Sequence, residues 1–433
     1  MTDRQTVAHM LRRITFGPTS SEVDAAERAG VQATLTAVLK PASLPAPPQL
    51  GADPVGALPK GATRDQKLKA RQDARAQVAE LTSWWLRQSA AAGGGAAEKL
   101  TFFWHGHWAT SVQKVRSAPL MLRQQQTFRR YGAAGTGPFV RAMLRDPALI
   151  IWLDGQRNTA NAPNENLARE LMELFTLGVG RYTEDDVKAG ARALTGWQVD
   201  RATGTAKLLS RRHDSAPETL LGRTGSFDAD SYADLLVRHP AHAPFIAERL
   251  WVRYGSGAPP SAAASARLVA AFGPGRDVTA VLRALATDPQ FAATAGQLVK
   301  QPVEWLVGAV RQLGVDLGTL TGKQLNQLLG ALRALGQVPF RPPSVGGWPV
   351  GAAWLTTSST QARLRTGPAL AALAPAAVQT LAEAAKADRV DALARLLVVD
   401  KWTDRTATVL TTAAPDPARL LALGLATPEY AVH

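Results

Sequence analysis

Apolar residues recur every three to four positions through almost the whole chain, and that spacing confines the fold to packed helices. Leu167, Leu171, Leu174 and Phe175 are one such stripe. The same period predicts helices over 6–16, 20–39, 64–89, 97–111, 117–131, 137–145, 164–177, 183–195, 229–238, 241–254, 260–272, 277–287, 301–313 and 322–335, with several short ones after 358. Residues 198–227 lose the period and carry Gly and Thr, which suits a small hairpin or irregular excursion. No βαβ rhythm and no fixed-period repeat is visible. The expected class is therefore mainly α, a multi-helix globular array with one excursion around 198–227.

Punctuation divides this array. N-terminal helices fill 1–40, a Pro/Gly-rich and almost uncharged loop spans 41–62, and the main helical domain runs over 63–366. The Gly93-Gly94-Gly95 run ends the long helix, and the Ala/Leu-rich tail 367–433 reads as a separate helical subdomain. Zero cysteines exclude disulfides, thiolate metal sites and a cysteine nucleophile. No window approaches the uncharged apolar length of a membrane span. The first apolar stretch is broken by His9, Arg12 and Arg13, so a signal-peptide core is absent and the expected address is the cytoplasm. A net charge of +14 raises nucleic acid as a partner, yet the arginines are spread along the chain without aromatic interleaving, which favours a solvated basic surface.

Standard chemical signatures are missing. There is no P-loop, since Gly322-Lys323 lacks the preceding glycines, no H-E-x-x-H, no G-x-S-x-G and no dinucleotide fingerprint after a strand. Polar candidates are few. His105 and His107 stand in FFWHGHWATS; on a helix, positions i and i+2 point about 200° apart, so both reach one ion only if Gly106 breaks the helix. Segment 163–197 opens with Asn164 as a helix cap and places Glu165, Arg169 and Glu173 four apart, beside Glu170. That pattern reads either as a salt-bridge ladder or as a carboxylate pair, Glu170 and Glu173, one turn apart. Such a pair binds a divalent cation with a histidine, or divides acid and base roles. Thr183 followed by Glu184-Asp185-Asp186 is a capping box. His213-Asp214 lies in the irregular region, where Asp can orient an imidazole. Trp197, and Trp348 and Trp354 in the stiff loop GQVPFRPPSVGGWPVGAAW, suit a ligand wall or sugar stacking, or equally a clamp between helical layers.

Taken together, LRRITFGPT, FFWHGHWATS, DPALIIWLDG, PNENLARELMELFTLGVGRYTEDDV, RALTGW, HDSAPETLLG, HPAHAPFIAERLW and the proline-rich loop resemble the bacterial family catalogued as domain of unknown function 1800, from about residue 7 to the C-terminal LATPEYAVH. The resemblance implies a mainly helical protein with no stated activity. It also implies a companion protein, since many members look exported and sit beside genes for a sulfatase-like family. Relatives usually carry Asn and Phe where this chain has Gly106 and Trp108. It further suggests a shared polar cluster of His107, Asn164, Glu165, Arg169, Glu170, Glu173, His213 and Asp214. Two functional expectations follow. One is an enzyme with Glu170, Glu173, Arg169 and Asp214 as catalytic groups, His107 and His213 as ligands to a divalent metal, and Asn164, Glu165, Trp197, Trp348 and Trp354 in binding. The other is a non-catalytic scaffold or partner-binding protein, with carbohydrate recognition through the tryptophans as a third idea.

Overall fold

The computed structural model describes residues 3–41, 45–91 and 95–433. Among them are twenty-four α-helices and two antiparallel two-stranded sheets, as the periodicity requires. The expected excursion at 198–227 is both of those sheets: Trp197–Asp200 pairs Thr205–Leu208 with Trp197 opposite Leu208, and Glu218–Leu220 pairs Arg223–Gly225. Helix starts follow local chemistry. Thr19 caps Ser20–Ala29 and Thr183 caps Glu184–Ala193, each in a reciprocal capping box. The single helix expected over 20–39 is two helices, because Gly30 at φ +80° ends Ser20–Ala29 before Val31–Val38 begins. Most of the Gly93-Gly94-Gly95 run lies outside the described residues.

Two apolar cores fill the molecule. One gathers the N-terminal helices with segments between residues 96 and 291; the other gathers Arg64–Ala91, residues 299–340 and the tail beyond 362. Helix Ala97–His107 lies between them, with Phe103 and Trp104 in the first core and Phe102 in the second. The C-terminal tail is tied to both. Leu410, Leu421 and Tyr430 join the second core, while Arg12 of the first helix bonds the Val398 carbonyl (2.9 Å) and Asp400. Loop 45–62 lies against its neighbours: Trp84 Nε1 donates to Ala46 O (3.0 Å), Gln77 to Ala52 O (3.0 Å), and Asp53 pairs with Arg201 (2.9 Å). Among the described residues no helix is long and apolar enough to cross a membrane.

Buried charge is unusually prominent in the wall between the cores. Glu304 accepts from Lys99 (2.8 Å), Arg253 (2.9 Å) and the Gln301 amide (2.8 Å), with Glu304, Lys99 and Gln301 buried and Arg253 at the edge of the buried region. Burial alone would push this carboxyl up, but the two cations and their hydrogen bonds hold it down at about 2. Lys99 in turn is lowered to about 8 by the same burial.

Candidate functional site

The segment that carries most of the predicted carboxylates is not a plain α-helix. Asn166–Glu170 is α-helical, and Leu171–Thr176 widens into a π-helix. Its wider i→i+5 turn moves Glu173 off the one-turn position beside Glu170 that an α-helix would provide. Glu173 accepts from the Tyr182 hydroxyl (2.7 Å). Glu170 is half-buried, and burial, then the nearby Glu173 charge, raises its carboxyl above the usual range. Arg169 forks onto Glu184 (2.7 and 2.8 Å) and reaches Glu165 (3.1 Å), so the ladder pairing is present with Glu184 added. Asn164 Oδ1 accepts from the Asn166 amide (3.1 Å), and its own amide donates to Asn158 (2.9 Å).

His213 and Asp214 belong to a neighbouring knot. Arg192 donates to Asp214 (2.7 Å) and faces Glu218 (3.1 Å), while His213 Nδ1 lies 3.2 Å from both the hydroxyl and the carbonyl of Thr195. Burial pushes Glu218 up to about 7 against the pull of Arg192, whereas Arg192 and the Ala216 amide hold Asp214 below the carboxylate range. Sequence reading missed Glu218, which nothing but its place opposite Arg192 distinguishes.

His107 lies elsewhere, buried at the C-terminal end of Ala97–His107. Its Nε2 donates to the Phe175 carbonyl (2.9 Å), one of the orphan carbonyls at the end of the π-turn, and His242 Nδ1 donates to the next one, Thr176 O (3.0 Å). Two imidazoles thus cap one helix end. His105, two positions earlier and on the opposite side as helical geometry requires, accepts from the Phe340 amide (2.8 Å). The expected meeting of His107 and His213 with Glu170 and Glu173 does not occur: among the described residues no three His, Asp or Glu side chains are grouped to hold a metal. Nor do the tryptophans offer open stacking faces. Trp197, Trp348 and Trp354 are 8%, 8% and 4% exposed.

A different site emerges around His107. It lines a narrow cleft of about 60 Å³ with Gly106, Arg249, Arg253, Gln301 and Trp348. Gly347 permits the approach of its loop, since a Cβ there would stand 2.4 Å from the Gly106 carbonyl oxygen, and its φ is +85°. Three buried polar atoms of cleft residues lack a protein partner: His107 Nδ1, Trp348 Nε1 and Arg253 Nη2. Because Nε2 carries the proton to Phe175, Nδ1 holds the lone pair. Burial first, then the Arg249 charge, lowers His107 to about 3 and keeps it neutral. Arg249 is open to solvent yet crowded by protein, as a side chain standing inside a concavity is, and it has no ion pair among the described residues. Burial lowers its pKa as well. Sequence reading missed Arg249 and Arg253, although two arginines at i,i+4 with no acid at that spacing are a repulsive pair that asks for a counter-charge.

A helical protein with a cationic, aromatic cleft and no standard catalytic signature is the class these observations define. The chain belongs to the family described as protein of unknown function (DUF1800), whose match covers residues 9–432. No curated protein and no solved structure was found to match it.

Proposed function

We propose that the chain binds a small molecule through one anionic group, a carboxylate or a single phosphate, in the cleft under His107, and acts on it by acid–base chemistry. The observation that carries this reading is that Arg249, which has no ion pair among the described residues, lines one cleft with three residues that each carry a buried polar atom without a partner. Arg249 supplies the positive charge, Trp348 Nε1 and Arg253 supply donors, and the His107 lone pair accepts from a ligand hydroxyl or ammonium. An anion beside Arg249 cancels the charge that helps to depress His107, and so raises its basicity when ligand is bound. In this reading Asn164, Glu165, Arg169, Glu170, Glu173, His213 and Asp214 are framework that presents the Phe175 carbonyl and thereby sets the His107 tautomer.

The test is titration of the protein with inorganic phosphate and with acetate, followed by the nitrogen chemical shifts of His107. Saturable binding that raises the His107 pKa and is lost in Arg249→Gln supports the proposal. Identical behaviour of wild type and Arg249→Gln overturns it. The scaffold reading draws its support from the mutual pairing of Arg169, Glu165 and Glu184 and of Arg192, Asp214 and Glu218. It predicts that neither anion shifts His107.

A further inference from the structure

A second cleft, of about 370 Å³, opens on another part of the surface between the long helix Arg64–Ala91, the short helix Val112–Val115 and the turn after Phe340. Four arginines line it: Arg71, Arg75, Arg116 and Arg341. No carboxylate lines it, and none of the four has an ion pair among the described residues. Arg71 and Arg75 stand at i,i+4, a spacing at which like charges destabilise a helix. The other two come from turns that a bulky residue seldom adopts. Arg116 itself has φ +53°, and Arg341 follows Phe340 at φ +67°. Both turns are clamped from behind. Arg201 donates to the carbonyls of Val115 (2.9 Å) and Arg116 (3.1 Å), while the Phe340 amide donates to His105 and its carbonyl accepts from the Val112 amide (2.9 Å). Arg201 is fixed in turn by Asp53 in loop 45–62, which also contributes Val55 to the cleft wall. Strained turns that gather like charges without counter-ions are the arrangement a ligand's charge completes. The floor is apolar, formed by Ala74, Val78 and Val112.

We infer that this cleft is a binding site for a phosphorylated small molecule carrying at least two negative charges and an apolar body, of nucleoside-polyphosphate size. Four guanidinium forks match phosphate oxygens in geometry as well as charge, and the volume lies in the range of small-molecule sites. The inference is independent of the His107 cleft. Its test is isothermal titration of the whole chain with ATP and with inorganic tripolyphosphate. The double variant Arg71→Gln/Arg75→Gln leaves the core untouched, and Arg249→Gln serves as the internal control. The expected result, with Arg249→Gln removing any contribution of the His107 cleft, is one site per chain for both probes, weakened about tenfold or more when the double variant is added, with affinity falling steeply as salt is raised. ATP binding more tightly than tripolyphosphate would assign the apolar floor to the base. Absence of saturable one-to-one binding, or equal affinity in wild type and double variant, overturns the inference. So does a marked preference for single-stranded oligonucleotides with several chains bound per strand, which would make the four arginines part of a general basic surface.

Discussion

His107 Nε2 lies 2.9 Å from the Phe175 carbonyl oxygen, and this one hydrogen bond joins the H-G-H helix to the end of the π-turn. It determines which imidazole nitrogen bears the proton, and it couples two sequence motifs whose roles look separate along the chain.

Burial holds four imidazoles neutral, lowering His105 and His107 to about 3 and His9 and His242 to about 4. Their folded values lie below the unfolded value of about 6.5, so the unfolded chain binds more protons as the pH drops. Stability from these groups is complete above about pH 6.5 and is lost as pH falls towards 4, by up to about 1.4 kcal/mol per pH unit for each histidine. Urea unfolding followed from about pH 6.5 down to about pH 5 should show the midpoint falling throughout. A flat midpoint over that range would contradict the buried placement.

Glu304 holds Lys99 and Arg253 together inside the protein. Glu304→Gln leaves two buried cations without their counter-charge and should cost about 3–5 kcal/mol. Replacing Lys99 and Glu304 together by Met and Leu should recover part of that loss, with Arg253 still unpaired. Denaturant midpoints of the single and double variants measure both effects.

Arg169 offers the contrast. Its side chain is 33% exposed and its main partner Glu184 66%. Solvent screens such a pair, so Arg169→Ala should cost less than about 1 kcal/mol by the same denaturant measurement. A loss as large as that of Glu304→Gln would mean that the ladder carries the fold.

The two glycines that meet beneath Trp348 should respond in opposite directions. Gly106 is helical, and a Cβ there makes only ordinary contact with Trp348 at 3.9 Å, so Gly106→Ala should stabilise by about 0.5–1 kcal/mol. Gly347 combines a left-handed φ with a Cβ position 2.4 Å from the Gly106 oxygen. Gly347→Ala should therefore destabilise by about 1–3 kcal/mol and open the cleft, read by melting temperature and by Trp348 fluorescence.

Local pattern was enough to determine the mainly helical class, the cap at Thr183, the hairpin region at 198–227 and the opposed directions of His105 and His107. Each depends on neighbours within a turn or two of the chain. Local pattern could not reveal the π-turn, because the apolar stripe of residues 167–175 suits either helix, and the wider turn arises with its end carbonyls engaged by His107 and His242. Both clefts were equally hidden. Gly106, Arg249, Gln301 and Trp348 come from separate segments, as do Arg71, Arg116 and Arg341, and only packing the two cores against each other makes them neighbours. Depressed histidines, a charged triad at Glu304 and arginines without counter-ions are consequences of burial and proximity. Those are properties of the packed chain in space, and residue order sets them only through the whole fold.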